Sequence, residues 1–116
     1  MTIEDLMSIS NRLPGVTTDI KWEDHLCFNV GEKIFLITSP DSVPSTASFK
    51  VTEEEFDRLT ERRGITQARY FAKRQWVSVD DISLLNGKEW EHYLAESHRL
   101  VASKLTRKKR IELGIE

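Results

Sequence analysis

Residues 25–38 have the sequence HLCFNVGEKIFLIT, in which two six-residue runs of β-favouring residues flank the pair Gly31-Glu32. Glycine tolerates a positive φ at the first central position of a type II′ turn, which joins two strands through two residues. The stretch therefore predicts a β-hairpin with strands at 25–30 and 33–38.

A two-residue turn fixes which hairpin residues face each other: Val30 with Lys33, Phe28 with Phe35 and Leu26 with Ile37. It also fixes which side of the sheet each residue occupies. The side chains predicted to share the core side are Leu26, Phe28, Val30, Phe35 and Ile37. The opposite side is more apolar than solvent contact requires, and it carries His25, Cys27, Asn29, Ile34 and Leu36. We expect this side to be covered, either by the C-terminal helix or a loop, or by a second copy in a homodimer.

Upstream of the hairpin, the sequence predicts one helix and one strand. The helix begins after Thr2, where Asp5 completes a capping box, and Pro14-Gly15 ends it. Apolar and polar residues alternate over 16–22, which is the pattern of a strand with one buried face.

Downstream of the hairpin, the sequence predicts a fourth strand at 47–51 and a second helix. A capping box at Thr52 starts that helix, and Gly64 fits its end. Residues 68–72 and 75–79 favour strands and predict a second tight hairpin, whose tip is Lys73-Arg74.

The last predicted helix begins at a cap formed by Asn86, and its apolar stripe continues to Leu105. The predicted order is α-β-β-β-β-α-β-β-α, which favours an α+β fold: an antiparallel sheet with helices packed against it in a two-layer sandwich. The 116 residues fit a single domain, 1–116, that ends in a basic segment, 104–116.

Charge is distributed unevenly along the chain. The formal net charge is −2, but residues 1–64 carry 7 basic and 12 acidic side chains, whereas residues 65–116 carry 10 and 7. The net negative charge argues against a basic surface over the whole domain, although a local basic patch remains compatible with it.

The N-terminus lacks the basic start and apolar run of a secretory signal, and the chain has no apolar run long enough to span a membrane. The single cysteine, Cys27, excludes an internal disulfide. These features predict a cytoplasmic protein without membrane insertion.

The sequence gives little support for catalysis. His25 and Cys27 lie two residues apart on one strand face, so a thiolate–imidazole pair is geometrically conceivable, but no orienting acid or oxyanion site is marked nearby. The histidines lack the spacing of a zinc site, and the glycines are scattered rather than grouped in a phosphate-binding loop. We therefore expect a non-enzymatic protein that has no cofactor, no metal and no small-molecule substrate.

Four strings in fixed order resemble the MmcQ/YjbR family: LPGVTTDIKW at 13–22, FNVGEKIFLI at 28–37, KRQWVSV at 73–79 and ESHRLVASKL at 96–105. The resemblance implies a frataxin-like or secretion-chaperone-like fold, and a DNA-binding label that rests on two hairpins forming a double wing. The family's last helix typically has a Ser-Tyr pair. Here the sequence is Ser97-His98, and we expect the imidazole to pack in place of the tyrosine.

Two functional hypotheses follow. The first is binding of double-stranded DNA, with phosphates contacted by Lys33, Lys73, Arg74, Lys104, Arg107, Lys108, Lys109 and Arg110. Trp22 and Trp76 are assigned to the core rather than to base stacking. The alternative is a protein-interaction or chaperone-like module, monomeric or homodimeric, that uses the apolar sheet face at Ile34 and Leu36.

Overall fold

A computed structural model of the protein describes residues 1–22 and 24–115. The elements are α1 Ile3–Asn11, β1 Val16–Lys21, β2 His25–Val30, β3 Lys33–Ser39, β4 Thr46–Lys50, α2 Glu53–Leu59, β5 Ile65–Gln67, β6 Trp76–Val79, a short 3-10 turn Ile82–Leu84, α3 Gly87–Ala102 and α4 Arg107–Glu112. The strands form one antiparallel sheet in the order β1-β2-β3-β4-β6-β5. The core lies between this sheet and the helices, which confirms the predicted α+β class.

All three predicted capping boxes are present. The Oγ1 of Thr52 accepts a hydrogen bond from the backbone N–H of Glu55 at 3.1 Å, and the Oδ1 of Asn86 accepts one from Glu89 at 2.9 Å. Thr2 and Asp5 form the third box. Because each cap satisfies backbone donors that the helix leaves unpaired, local sequence alone suffices to place these three helix starts.

The turn between β2 and β3 lies at Gly31-Glu32 as predicted, but the predicted type II′ is wrong: both residues have positive φ, 56° and 70°, which is type I′. The pairing of β2 with β3 also differs from the prediction. Val30 faces Lys33 as expected, but Asn29 faces Ile34 and Phe28 faces Leu36, so Phe35 is an extra residue that forms a β-bulge. The predicted pairing of Phe28 with Phe35 is therefore wrong. Beyond the bulge the alternation of β3 is inverted, and Leu36, rather than Ile37, belongs to the core.

Ser97 of α3 occupies the place where the bulge opens the sheet. Its fully buried hydroxyl donates to the backbone carbonyl of Phe35 at 2.6 Å and accepts from the backbone N–H of Lys50 at 2.9 Å. The hydroxyl thus satisfies one buried backbone group on each of two neighbouring strands. We call this arrangement the Ser97 bridge.

His98 is buried beside the Ser97 bridge, in agreement with the expectation that its imidazole packs in the interior. Its Nε2 lies 2.8 Å from the backbone carbonyl of Pro14, and its ring meets that of Phe35 edge-on at 5.4 Å. Burial lowers the pKa of His98, so the ring is held neutral and donates its Nε2–H to the carbonyl. The histidine joins the connection between α1 and β1 to the core.

The basic C-terminal segment forms a helix of its own. The last predicted helix ends at Ala102, before Leu105, and α4 begins at Arg107 behind a cap formed by Thr106. Leu105 packs over Gly31 and Leu113 over Gly15, and at either glycine an added Cβ would lie within 3 Å of the leucine side chain. Both glycines also have positive φ, so backbone conformation and lack of space each favour glycine at these positions.

β1 is an edge strand, and most of its side chains are exposed. Trp22, predicted to lie in the core, follows this strand and is 62% exposed, so that prediction is wrong. The alternation over 16–22 correctly predicts a strand, but the helices cover little of the sheet at this edge. In the part of the chain that the structure describes, no helix is long and apolar enough to cross a membrane.

Candidate functional site

The face of the sheet opposite the helices, which we call the open face, is apolar at its centre and rich in hydroxyl groups on one side. Strand pairing aligns one row of residues across it: Asp19, Cys27, Ile37, Ser48, Ser78 and Thr66. Ile34 adds a second apolar side chain near Ile37. The floor therefore combines aliphatic surface with hydrogen-bonding groups.

The loop between β5 and β6, residues 68–75, folds back over one part of the open face. Phe71 stacks on Trp76 with ring centroids 4.4 Å apart. The side chain of Gln67 holds the loop: its Nε2 donates to the backbone carbonyl of Ala68 at 2.8 Å, and its Oε1 accepts from the backbone N–H of Arg74 at 2.8 Å. Trp76 is thus buried as predicted, but under this loop rather than under the helices.

A cleft of about 930 Å³ remains between this loop and the β1–β2 connection. Its floor is the open face, one wall is formed by Trp22 and His25, and the other by residues 69–71. The Trp22 and His25 rings meet edge-on at 5.9 Å. A volume of this size, lined by aromatic and aliphatic groups with a few polar ones, is typical of a binding site.

Both walls expose an aromatic side chain on a strained backbone. Trp22 has φ of 51° and is 62% exposed, and Tyr70 has φ of 69° and is 99% exposed. A positive φ is a rare conformation for a bulky residue and costs about 1 kcal/mol or more. Two large aromatic residues that face solvent in this conformation, on opposite sides of one cleft, indicate a functional surface.

Charge is sparse in the cleft. Among the described lining residues, the permanently charged side chains are Arg69 and Asp80, one of each sign. The Nδ1 of His25 lies 2.7 Å from a carboxylate oxygen of Asp24. Burial raises the pKa of the Cys27 thiol beneath this face, which disfavours the thiolate that a nucleophile requires. The cleft suits an uncharged ligand.

The second predicted wing is not a tight hairpin. The predicted strand at 68–72 is wrong, because β5 ends at Gln67 and residues 68–75 form a loop, whereas β6 lies within the predicted strand at 75–79. Lys73-Arg74 therefore does not form a two-residue tip. Arg74 turns towards α2, where its guanidinium nitrogens lie 2.9 Å and 3.0 Å from the two carboxylate oxygens of Asp57 and 3.9 Å from Glu53. These acids largely neutralise Arg74, whereas Lys73 is exposed.

Three lysines form a basic patch at one end of the sheet: Lys33, Lys50 and Lys104. Burial lowers the pKa of Lys50, and the neighbouring positive charges of Lys104 and Lys33 lower it further. Lys33 and Lys104 are predicted phosphate contacts, whereas Lys50 was not predicted. Lys50 directly follows the core residue Phe49 in the fourth strand. This alternation in the sequence could have assigned Lys50 to the open face.

The other predicted contacts lie in α4. Arg107, Lys108, Lys109 and Arg110 form its first turn, and Arg110 donates a hydrogen bond to the backbone carbonyl of Leu105. Lys108 is exposed to solvent, while Lys109 and Arg110 are partly buried. The helix therefore presents part of this positive charge to solvent and uses part of it to hold its own start.

The two residues predicted to form a protein interface, Ile34 and Leu36, lie on opposite sides of the sheet. Ile34 lines the cleft, but Leu36 is fully buried in the core on the other side of the sheet, and Ile37 takes its place in the cleft. The β-bulge causes this exchange. Within the described residues, no group of three or more His, Cys, Asp or Glu side chains is arranged to hold a metal ion.

Solved structures show the same fold. The chain aligns with a Deinococcus radiodurans protein, described as having the domain DUF419, at 27% identity and a TM-score of 0.88, covering 99% of this chain and 89% of that one. A Pseudomonas syringae protein aligns at 19% identity and a TM-score of 0.71, covering 87% of this chain and 99% of that one. Among curated proteins, none matches the sequence significantly.

The four strings noted in the sequence lie mainly in β1, the β2–β3 hairpin, β6 and α3, and they contribute Trp22 of one wall, part of the floor and the Ser97 bridge. A family model described as YjbR matches residues 11–100, a span that includes the cleft and most of the elements beneath it. The chain belongs to the YjbR family.

Proposed function

We propose that the protein is a non-enzymatic interaction module that binds an extended, apolar and uncharged segment of a partner polypeptide in the cleft of its open face. The observation that carries this proposal is the pair of exposed aromatic residues, Trp22 and Tyr70, on strained backbone at opposite walls. Exposed tryptophan and tyrosine side chains are the residue types that most often dominate binding energy at interfaces.

The dimensions of the cleft support an extended segment. Its floor spans five strands, β2 to β5 in sheet order, and adjacent strands lie about 4.8 Å apart, so the floor is roughly 20 Å wide. An extended chain covers that distance in about six residues. The hydroxyl groups of Ser48, Ser78 and Thr66 can pair with the polar backbone of such a segment, while Ile34 and Ile37 contact its side chains.

The test is a selection of random heptapeptides displayed on phage, followed by calorimetry with the recovered peptides. We expect uncharged sequences rich in aliphatic and aromatic residues. Removing both aromatic walls, in Trp22→Ala/Tyr70→Ala, should weaken their binding about 100-fold, because each side chain contributes on the order of 1–2 kcal/mol. The unfolding midpoint should change little, since both residues are exposed.

Val43→Ala is the matched control. Val43 is 98% exposed and does not line the cleft, so peptide affinity should not change. Equal binding by the wild type and the double variant, or recovery of charged peptides only, would contradict the proposal.

Duplex DNA is the second candidate ligand, supported by the proximity of Lys33 and Lys104 to Lys50. Neutralising these lysines, in Lys33→Gln/Lys50→Gln/Lys104→Gln, should lower the slope of log K against log salt by about 3, because each phosphate contact contributes about 0.9. Fluorescence anisotropy with labelled duplex at several salt concentrations measures the slope. Lys88→Gln is the control, and an unchanged slope in the triple variant would exclude the patch as the DNA contact.

A further inference from the structure

The two edges of the sheet differ in how they are protected. β5 has three residues and leads into the loop that folds over the open face. β1 has six residues, contains no proline, and pairs with β2 on one side; in the described part of the chain, its outer side faces solvent. An edge strand of this length presents a row of unpaired backbone groups that can pair with another strand.

The side chains of β1 do not fully block such pairing. Ile20, which faces the helix side of the sheet, is 61% exposed. Asp19 and Lys21 lie on the open face, where Lys21 Nζ is 2.7 Å from an Asp19 carboxylate oxygen. Charges usually protect a sheet edge by repelling a second copy, but here the two charges are of opposite sign.

We infer that two copies of the protein pair antiparallel through β1, about a two-fold axis at Ile20. In this register residues 19–21 of β1 pair in the two copies: Ile20 lies opposite Ile20 of the second copy, and Asp19 lies opposite the second copy's Lys21. Two ion pairs therefore flank one newly buried apolar pair. The strand is self-complementary in charge, as an isologous two-fold interface requires. This inference is independent of the proposed function of the cleft.

The neighbouring registers are less favourable. Both open faces stay on the same side of the joined sheet only if the two-fold axis passes through a residue, because only then do side chains of one face lie opposite each other. An axis at Asp19 would set two carboxylates opposite each other, which is destabilising. An axis at Thr18 would pair Thr17 with Asp19 and leave Lys21 without an opposite charge. The Ile20 register alone matches the charges.

Cross-linking tests the register directly. Directly opposite Cβ atoms in an antiparallel pair lie about 4.5–5.5 Å apart, close enough for a disulfide. With oxidised glutathione as the oxidant, Ile20→Cys should form covalent dimers at least tenfold faster than Thr18→Cys, the matched control. The native Cys27 is fully buried and should not compete. Equal rates in the two variants, or faster cross-linking of Thr18→Cys, would overturn the inferred register.

Sedimentation equilibrium without cross-linking tests the charge match. Asp19→Lys should raise the dimer dissociation constant about tenfold, and the swapped variant Asp19→Lys/Lys21→Asp should return it close to the wild-type value. The swap keeps the composition of the strand and changes only the order of the charges. A wild-type protein that remains monomeric at millimolar concentration, or a swap that fails to restore a weakened dimer, would overturn the inference.

Discussion

Replacing Ser97 with alanine is expected to lower the free energy of unfolding by about 2–4 kcal/mol, because it leaves two buried backbone groups without partners. The hydroxyl is fully buried and joins the carbonyl of Phe35 to the N–H of Lys50. Alanine is small enough to fit and has a high helix propensity, so steric clash and loss of helix stability contribute little. Urea denaturation followed by circular dichroism measures the loss.

The matched control is Ser103→Ala at the end of the same helix. Ser103 also donates a hydrogen bond to a backbone carbonyl, that of Leu100 at 2.6 Å, but it is exposed, so water can replace the bond. We expect a loss below about 0.5 kcal/mol. If the two variants lose equal stability, the Ser97 bridge does not stabilise the fold through its two buried backbone partners.

Truncation after Ser103 is expected to destabilise the protein by about 3–5 kcal/mol, although the segment removed is the most basic part of the chain. Burying a leucine side chain contributes roughly 1.5–3 kcal/mol. The deletion removes Leu105, which is 9% exposed, together with the half-buried Leu113 that packs over Gly15. Thermal unfolding monitored by circular dichroism should show a clearly lower midpoint.

The control for the truncation keeps these apolar contacts and removes charge only. Lys104→Gln/Lys108→Gln changes two exposed side chains, and the unfolding midpoint should stay within about 2 °C of the wild type, as is usual for surface substitutions. A truncated protein of wild-type stability would show that α4 does not support the core. With the expected outcome, loss of DNA binding on truncation could not be attributed to lost phosphate contacts.

Local signals in the sequence correctly predict the starts of α1, α2 and α3 and the position, though not the type, of the β2–β3 turn. Thr52, Asn86 and Gly31 each act through neighbours within a few residues, so no long-range information is needed. The β-bulge at Phe35 depends instead on Ser97, sixty-two residues further along the chain, which satisfies the backbone groups that the bulge exposes. No rule of alternation within residues 25–38 could have revealed it, and the error moved Leu36 to the wrong side of the sheet.

The candidate site was less predictable than the fold. The sequence identified the apolar open face and Ile34, but it placed Trp22 in the core and Arg74 at a hairpin tip. Arg74 instead pairs with Asp57, seventeen residues away, and long side chains of opposite charge find such partners only once the fold brings them together. The cleft itself arises from a loop and a strand end that lie far apart in the sequence, so its two walls could not be joined from local patterns.

The contacts of the β5–β6 loop divide its residues into those that hold the loop in place and those that can be substituted. Gln67 holds the loop through the loop's own backbone, Phe71 fixes it to the sheet, and Arg74 ties its far end to α2. Between these anchors, the side chains of Arg69 and Tyr70 are exposed to solvent. Substitutions at these two positions would therefore change one wall of the cleft, and with it any ligand preference of the proposed site, while the scaffold that carries them stays intact.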